Sequence, residues 1–208
     1  MMIMPGNNTS KIIHYFAGKY PGKIGWIQSP DSWKNVPYYM PYALDNGAFK
    51  NFNPDNYIKH ILRTKKFHDP LWIAVPDVLA NAKETILCWN KWYPIVHKTG
   101  YNLAFVAQDG MMPQDVPKEA YCVFIGGSTN WKLKNAHKYK GISNLLHIGR
   151  VNTVKRLSWA IDIGADSCDG TGWFLRNPNG FIELFEKSNK KGIKPFFNIP
   201  PILTKNYV

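Results

Sequence analysis

The chain has 208 residues, and 45% of them are apolar, which is enough for one domain with a substantial core. No apolar stretch approaches the roughly 20 residues that a membrane-spanning helix needs, and residues 1–10 lack the basic flank and long apolar segment of a secretory leader. We therefore expect a single domain over residues 1–208 that works in the cytoplasm without a membrane partner.

The charge balance of the chain is strongly basic. Its 26 Lys and Arg outnumber its 14 Asp and Glu, so the formal net charge is +12, which favours an anionic partner. Trp and Tyr residues are interleaved with the lysines and no basic amphipathic helix is evident, so a nucleic acid is favoured over a lipid surface. The three cysteines, at positions 88, 122 and 168, are widely spaced and odd in number, which predicts reduced thiols and no zinc site.

Short apolar, β-branched or aromatic runs alternate with segments of helical period, which is typical of repeated βα units. One short strand is predicted to lead to Asp169. The other predicted strands are Ile12–Phe16, Ile24–Gln28, Tyr42–Leu44, Leu71–Pro76, Leu103–Ala107, Cys122–Ile125, Leu145–Ile148 and Phe196–Ile199.

Helices are predicted between these strands from apolar residues at helical spacing, most with a capping residue at the start. Gly164 ends one of them, since glycine suits a left-handed C-cap. The predicted helices begin at Asn53 and at Asn81, and span Thr153–Ile163 and Asn177–Lys191.

Strands that alternate with helices leave two α/β architectures open. Seven to nine strands favour a compact TIM-type (β/α)8 barrel, and an open doubly wound sheet is the alternative. Because the chain is near the small limit for a barrel, we expect some helices to be short or replaced by loops.

Polar residues and glycines recur just after the predicted strands. Each aspartate taken alone is typical of a helix cap or a turn. The intervals between successive positions run from 18 to 32 residues, which lets each strand, loop and helix return the chain to one face, where active sites of such folds assemble. These positions are Asp45, Asp77, Gln108, Gly126 with Gly127, Gly149 and Asp169.

These motifs resemble the queuine tRNA-ribosyltransferase superfamily, and especially its short, phage-borne branch, which is similar to a DNA 7-deazaguanine transglycosylase. The resemblance spans roughly residues 42–172. The run from Leu44 to Phe49 is similar to the family's Asp-Ser-Gly-Gly-Phe segment, and Ile125 to Gly127 is similar to its Ile-Gly-Gly turn. Residues 148–153 followed by 164–169 are similar to a Gly-Val-Gly-Thr stretch leading to the nucleophilic aspartate, which is the most specific match.

The resemblance implies an enzyme that replaces guanine in DNA with a 7-deazaguanine derivative through a covalent aspartyl-sugar intermediate. Asp169 would be the nucleophile, and Asp166 is a competing candidate because the residues after 169 depart from the family's motif. Asp45 would protonate the leaving guanine and deprotonate the incoming base. The residues expected to bind the base are Asp77, Gln108, Gly126, Gly127 and Gly149.

The expected partners are DNA, with RNA less favoured, and a free 7-deazaguanine base such as preQ0 or preQ1. Lys132, Lys134 and Arg150 are predicted to contact nucleic acid. Aromatic residues near predicted strand ends, Tyr42, Trp131, Trp173 and Phe174, are candidates for stacking on bases. His147 is interpreted as a core residue.

Members of the family that act on transfer RNA carry a Cys-rich zinc site with a histidine near the C-terminus, for which this sequence offers no counterpart. We therefore expect a barrel without the zinc-binding subdomain, without metal or cofactor, and located in the host cytoplasm if a phage encodes it. The alternatives are the same exchange on transfer RNA, a nucleoside or glycoside hydrolase on the same barrel, and a nucleic-acid binder without activity.

Overall fold

The computed structural model describes residues 1–6, 10–49 and 52–170, together with residues 172, 183, 186 and 187. Eight short strands in these residues form one parallel sheet. They are β1 (Met2–Met4), β2 (Trp26–Gln28), β3 (Tyr42–Leu44), β4 (Ile73–Ala74), β5 (Leu103–Ala107), β6 (Cys122–Ile125), β7 (Leu145–Ile148) and β8 (Ser167–Asp169).

The sheet closes into a barrel. Every strand from β2 to β7 pairs with the next one along the chain, and β8 pairs with β1, with Ile3 opposite Cys168. Two isolated parallel bridges, Ile3 to Ile24 and Gly6 to Ile27, join the β1 segment to the β2 segment and close the barrel. The TIM-type α/β barrel is therefore the observed fold, and the open doubly wound sheet is excluded.

Five helices in the described part of the chain pack around the barrel: α1 (Lys11–Lys19), α2 (Pro54–Arg63), α3 (Ala82–Val96), α4 (Thr129–Asn135) and α5 (Val154–Asp162). Three begin as the sequence predicts, because the side chains of Asn53, Asn81 and Thr153 each accept a hydrogen bond from a backbone N–H of the first turn. Short 3-10 turns extend the ends of α2, α3 and α4, at Thr64–Lys66, His97–Thr99 and Ala136–Tyr139.

Two of the barrel's connections carry no α-helix, which explains how the fold fits so short a chain. A single 3-10 turn, Pro30–Ser32, follows β2, and another, Pro113–Asp115, lies between β5 and β6. Replacing a helix by one turn shortens a βα unit while the strands stay in register. The expectation that some helices would be replaced by loops is confirmed.

The prediction of a strand at Ile12–Phe16 is wrong, because these residues lie in α1. Its buried residues Ile13, Phe16 and Ala17 are spaced three and four apart, so one helical face packs on the barrel. The first strand is instead Met2–Met4, which the sequence analysis missed. The predictions of a strand at Phe196–Ile199 and of a helix at Asn177–Lys191 lie outside the described residues, except for positions 183, 186 and 187.

Side chains alternate between the barrel interior and the layer beneath the helices, as the two-residue period of a strand requires. The interior is filled by one apolar cluster, and the outward-facing residues form a second, larger cluster with the helices. No helix in the described part of the chain is long and apolar enough to cross a membrane. The buried interior residues are Met2, Met4, Ala43, Trp72, Ala74, Ala104, Val106, Cys122, Phe124 and Leu145.

Candidate active site

A cavity of about 270 Å³ opens at the carboxyl ends of the strands. This volume lies just below the roughly 300 to 1,000 Å³ of pockets for drug-sized ligands, so it suits a ligand of one or two rings. The cavity is lined by Ile27, Asp45, Asn46, Phe49, Asp77, Leu79, Val106, Gln108, Phe124, Gly126, Gly149, Arg150 and Asp169.

Asp45 directly follows β3, and its surroundings raise the proton affinity of its carboxyl group. Burial raises its pKa to about 7, and the nearby charges of Asp169 and Asp77 act in the same direction. Backbone N–H groups of Asn46 and Gly47 oppose the shift, the first with a 2.9 Å bond to Oδ1. A carboxyl group with this pKa can both give and take a proton near neutral pH.

Asp169 ends β8, with its side chain 14% exposed. Its Oδ1 accepts a 2.8 Å hydrogen bond from the backbone N–H of Arg150. Arg150 has a positive φ of 59°, a conformation that costs a non-glycine residue about 1 kcal/mol or more. The residue with the left-handed backbone conformation, Arg150, is therefore also the residue whose N–H donates to the Asp169 carboxylate.

His147, interpreted from the sequence as a core residue, lies directly behind Asp169. The imidazole is completely buried inside the barrel. Its Nε2 is 3.2 Å from Asp169 Oδ2, and its Nδ1 is 2.8 Å from Ser167 Oγ. The sequence contained a usable indication, because His147 is two residues before the predicted site residue Gly149 and so shares its side of the strand.

Asp77, Asn46 and Gln108 form a hydrogen-bonded network on the next part of the cavity wall. Asn46 Nδ2 donates to Asp77 Oδ1 at 2.7 Å and Gln108 Nε2 donates to Oδ2 at 2.5 Å. Burial raises the pKa of Asp77, although these two bonds and the charge of Arg150 oppose the shift. Each Asp77 oxygen keeps acceptor capacity for a ligand. Asn46 was not among the predicted site residues.

The orientation of the Gln108 amide is fixed by the backbone around it. Its Oε1 accepts from the N–H of Ala80 and of Gly127, both at 2.9 Å. The prediction that Gly127 binds the base is therefore corrected: its N–H is used by Gln108, and Gly127 does not line the cavity. Its N–H helps to hold the side-chain amide of Gln108, which does line the cavity.

Gly126 and Gly149 both line the cavity. A residue with a side chain would not fit at either position. A Cβ atom on Gly126 would lie 2.5 Å from Gln108 Nε2 and 2.8 Å from a Val106 methyl group. A Cβ atom on Gly149 would overlap the ring of Phe124. The absence of side chains at these two positions keeps the cavity open.

The three predicted nucleic-acid contacts have different surroundings. Lys132 is buried with its Nζ donating to the carbonyl of Gly149, so it supports the end of β7 and is not placed as a surface phosphate contact. Burial lowers its pKa to about 8, and the charge of Arg150 adds to that effect. The Arg150 guanidinium lines the cavity and donates to the carbonyls of Gly126 and Gly127. Only Lys134 is exposed.

Two exposed apolar side chains lie at the rim of the cavity, and neither was predicted as a site residue. Phe49 is 61% exposed, with the Arg150 guanidinium 5.0 Å from its ring centre, and Leu79 is 44% exposed.

Tyr42, a predicted stacking residue, is fully buried in the outer layer, with its hydroxyl donating to the carbonyl of His68. Trp131 is partly buried against the same layer. Trp173 and Phe174 lie outside the described residues.

Asp166, the competing candidate for the nucleophile, lies just before β8, at the opposite end of the barrel from the cavity. It is buried, it accepts a 2.8 Å bond from the backbone N–H of Leu146, and its Oδ1 is 3.0 Å from Lys140 Nζ. Through these contacts Asp166 connects the start of β8 to β7 and to Lys140, which follows the 3-10 turn Ala136–Tyr139. Asp166 is therefore structural, and Asp169 is the carboxylate that reaches the cavity.

The comparisons with known proteins identify the fold. No protein-family model matches the chain, and no curated protein is significantly similar to it in sequence. A chain of the Amycolatopsis orientalis BexX/CysO complex has a TM-score of 0.59 at 9% identity, covering 93% of this chain and 90% of that one. The YdjI aldolase from Escherichia coli K12 has a TM-score of 0.55 at 12% identity, covering 91% and 85%.

A native KDPGal structure also matches, with a TM-score of 0.51 at 11% identity and coverage of 91% of this chain and 95% of that one. At such identities the likeness establishes the α/β barrel and carries no information about chemistry. The chemistry must be argued from the cavity itself. Within the described residues, no three His, Cys, Asp or Glu side chains converge to hold a metal ion.

Proposed function

We propose that this chain is a base-exchange transglycosylase that replaces guanine in DNA with a 7-deazaguanine derivative. The observation that carries the proposal is the presence of Asp45 and Asp169 in one small cavity beside the Asp77 network. The two carboxyl groups come from strands separated by β1 and β2 in the barrel order. They can therefore reach one glycosidic bond with two different roles.

In the first half of the proposed reaction, an Asp169 oxygen attacks C1′ of the target nucleotide. A C1′–O ester bond forms while the C1′–N9 bond breaks, and its electron pair leaves with guanine. Asp45 supplies the proton that neutralises the departing base. Its pKa of about 7 keeps a large fraction of the group protonated at neutral pH.

In the second half, Asp45 takes a proton from the incoming base, and the freed ring nitrogen attacks C1′. The ester bond breaks and its electron pair returns to Asp169. Both aspartates regain their starting states, so the exchange needs no oxidant and no external acid. Storing the sugar as an ester keeps the DNA strand intact while one base replaces another.

The Asp77 network supplies base selection in this proposal. A guanine-like base has a ring N–H and an exocyclic amine on one edge, and a carboxylate can accept from both. Asn46 and Gln108 hold the two Asp77 oxygens in place. Adenine has an acceptor at the ring position where guanine has its N–H, so it would be rejected.

A nucleic acid is the proposed polymer because the chain carries a net charge of +12 and because a small cavity takes only an unstacked base. DNA is chosen over RNA because of the resemblance to the short branch that is similar to a DNA transglycosylase. The exposed rim residues Phe49 and Leu79 can cover neighbouring bases once the target leaves the stack. Arg150 beside Phe49 adds a positive charge at the same rim.

The test is incubation of the purified chain with single-stranded and duplex DNA, or with transfer RNA, in the presence of isotope-labelled guanine or of preQ0 or preQ1. Mass spectrometry of the digested nucleosides then identifies the product. Labelled deoxynucleoside that appears with the wild type and not with Asp169→Asn supports the proposal. Incorporation only into RNA would refute the DNA assignment, release of free guanine alone would indicate a hydrolase, and binding without turnover would refute an enzyme.

A further inference from the structure

The carboxylate of Asp169 belongs to a three-residue chain that continues into the barrel interior. His147 lies between Asp169 and Ser167, with Nε2 3.2 Å from Asp169 Oδ2 and Nδ1 2.8 Å from Ser167 Oγ. Ser167 and Asp169 are two residues apart on β8, so both side chains point inward from the same strand. The imidazole on β7 spans the distance between them.

The chemistry of the three groups determines where the imidazole proton lies. A nucleophilic carboxylate is ionised and can only accept hydrogen bonds, so His147 Nε2 must carry a proton. In a neutral imidazole Nδ1 is then an acceptor, and the Ser167 hydroxyl is its donor. Each polar atom of the buried ring therefore has a partner, as the apolar interior requires.

The ring itself is held by packing. Its centre is 4.9 Å from the ring of Trp72 and 4.6 Å from the ring of Phe124, both in edge contacts. A ring in contact with two aromatic rings and hydrogen-bonded through both nitrogens has little freedom to turn. It can act as a rigid donor to the carboxylate above it.

Resting on the proposed function, we propose that His147, held in the Nε2–H tautomer by Ser167, is the positioning residue of the Asp169 nucleophile. The Arg150 N–H holds Oδ1 at 2.8 Å and His147 holds Oδ2, so the carboxylate plane is fixed from both sides. Whichever oxygen bonds to C1′, the other becomes the ester carbonyl oxygen and keeps its donor. The attacking oxygen is thus aligned before substrate arrives.

The test compares two substitutions of His147 in the full chain. His147→Leu removes the donor, and His147→Gln places an amide N–H near the position of Nε2. We expect His147→Leu to lower the single-turnover rate of base exchange about 10- to 100-fold, because misplacing a reacting group by an ångström has effects of that order. His147→Gln should recover most of that loss. The KM for DNA should change less than about twofold in both, since binding does not depend on this carboxylate's alignment.

His60→Gln is the matched control, because His60 is also completely buried but lies in the outer layer with Nε2 3.1 Å from the Gln28 carbonyl. We expect it to lower the melting temperature without changing the rate of the folded protein. A His147→Leu variant that exchanges bases at the wild-type rate would overturn the inference. So would equal loss in His147→Leu and His147→Gln.

A second measurement does not depend on activity. Nitrogen-15 NMR of the labelled wild type reports the protonated nitrogen of each histidine, and we expect Nε2–H for His147, with that preference weakened in Ser167→Ala. Observation of Nδ1–H in the wild type would overturn the positioning role. If the wild type exchanged no base at all, the proposed function would fail, whereas the NMR result would still decide whether His147 donates to Asp169.

Discussion

Replacing Asp45 with Asn should stabilise the fold at the expense of activity, and the gain should depend on pH. The pKa of Asp45 is raised from 3.8 to about 7, mainly by burial. Asn has nearly the same shape, its side-chain oxygen can accept the bond from the Asn46 N–H that Asp45 Oδ1 now accepts, and it has no charge to bury.

The pH dependence of stability follows from the fact that the folded chain binds the Asp45 proton more tightly than the unfolded chain does. Below pH 4 Asp45 is protonated in both the folded and the unfolded chain, so its ionisation has no effect on stability. Between pH 4 and 7 the unfolded chain ionises first, so stability falls as the pH rises. Above pH 7 both states are ionised and the whole penalty persists.

Raising the pKa from 3.8 to about 7 corresponds to roughly 4 kcal/mol, since a tenfold change in proton affinity is worth about 1.4 kcal/mol. Asp45 is not fully shielded from solvent, so about 2 to 4 kcal/mol is the expected gain for Asp45→Asn at pH 8. A chain of this size gains roughly 2 to 4 °C per kcal/mol, so the melting temperature should rise by roughly 5 to 15 °C.

Thermal unfolding followed by circular dichroism at pH 4 and pH 8 measures this difference. The exposed Asp31 provides a control, and Asp31→Asn should change the melting temperature by a similar small amount at both pH values. An Asp45→Asn variant with the same melting temperature as the wild type at pH 8, or with an equal gain at both pH values, would refute the assignment of a buried, proton-binding Asp45.

Three further substitutions test other parts of the site. Asp77→Ala should reduce the preference for guanine-type over adenine-type bases at least about tenfold, measured by competition in base exchange, and an unchanged preference would contradict its role. Asp166→Ala should lower the free energy of unfolding by about 1 to 3 kcal/mol, because it leaves the Leu146 N–H without its partner, but the folded fraction should exchange bases at the normal rate. Gly126→Ala should raise the KM for the free base about tenfold, since its Cβ would displace Gln108, whereas Gly18→Ala, with open space around it, should have no such effect.

The grouping of the site residues was predictable because it depends on topology. In a parallel barrel every strand ends at the same face, so residues that follow successive strands meet whatever their separation in sequence. Asp45, Asp77, Gln108 and Asp169 satisfy this condition and line one cavity. The caps at Asn53, Asn81 and Thr153 were predictable for a local reason, since a side-chain acceptor at the start of a helix needs only its own first turn.

The N-terminal part of the fold was not predictable from local patterns. Ile12 and Ile13 are β-branched and stand near two aromatic residues, which favours a strand, but the buried positions follow a helical period that is clear only once the barrel surface is known. The first strand, Met2–Met4, is only three residues long, and its single β-branched residue lies between two methionines, so its local preference for a strand is weak.

The role of individual side chains within the site depended on which way each residue points. Gly126 faces the cavity and Gly127 does not, although the two are adjacent and share one motif. Lys132 is buried despite its charge because its Nζ reaches the Gly149 carbonyl, a contact between α4 and the end of β7. His147 follows the strand's alternation, so counting back from Gly149 places it in the interior beside Asp169.

Trapping the proposed ester between Asp169 and the sugar tests the covalent step of the reaction. The chain is incubated with guanine-containing DNA without incoming base, quenched in acid, separated on a denaturing gel and mapped by mass spectrometry after proteolysis. We expect a protein–DNA adduct on the peptide that contains Asp169, absent in Asp169→Asn and present in Asp166→Ala. An adduct on a different residue, or base exchange by Asp169→Asn at the wild-type rate, would show that Asp169 is not the nucleophile.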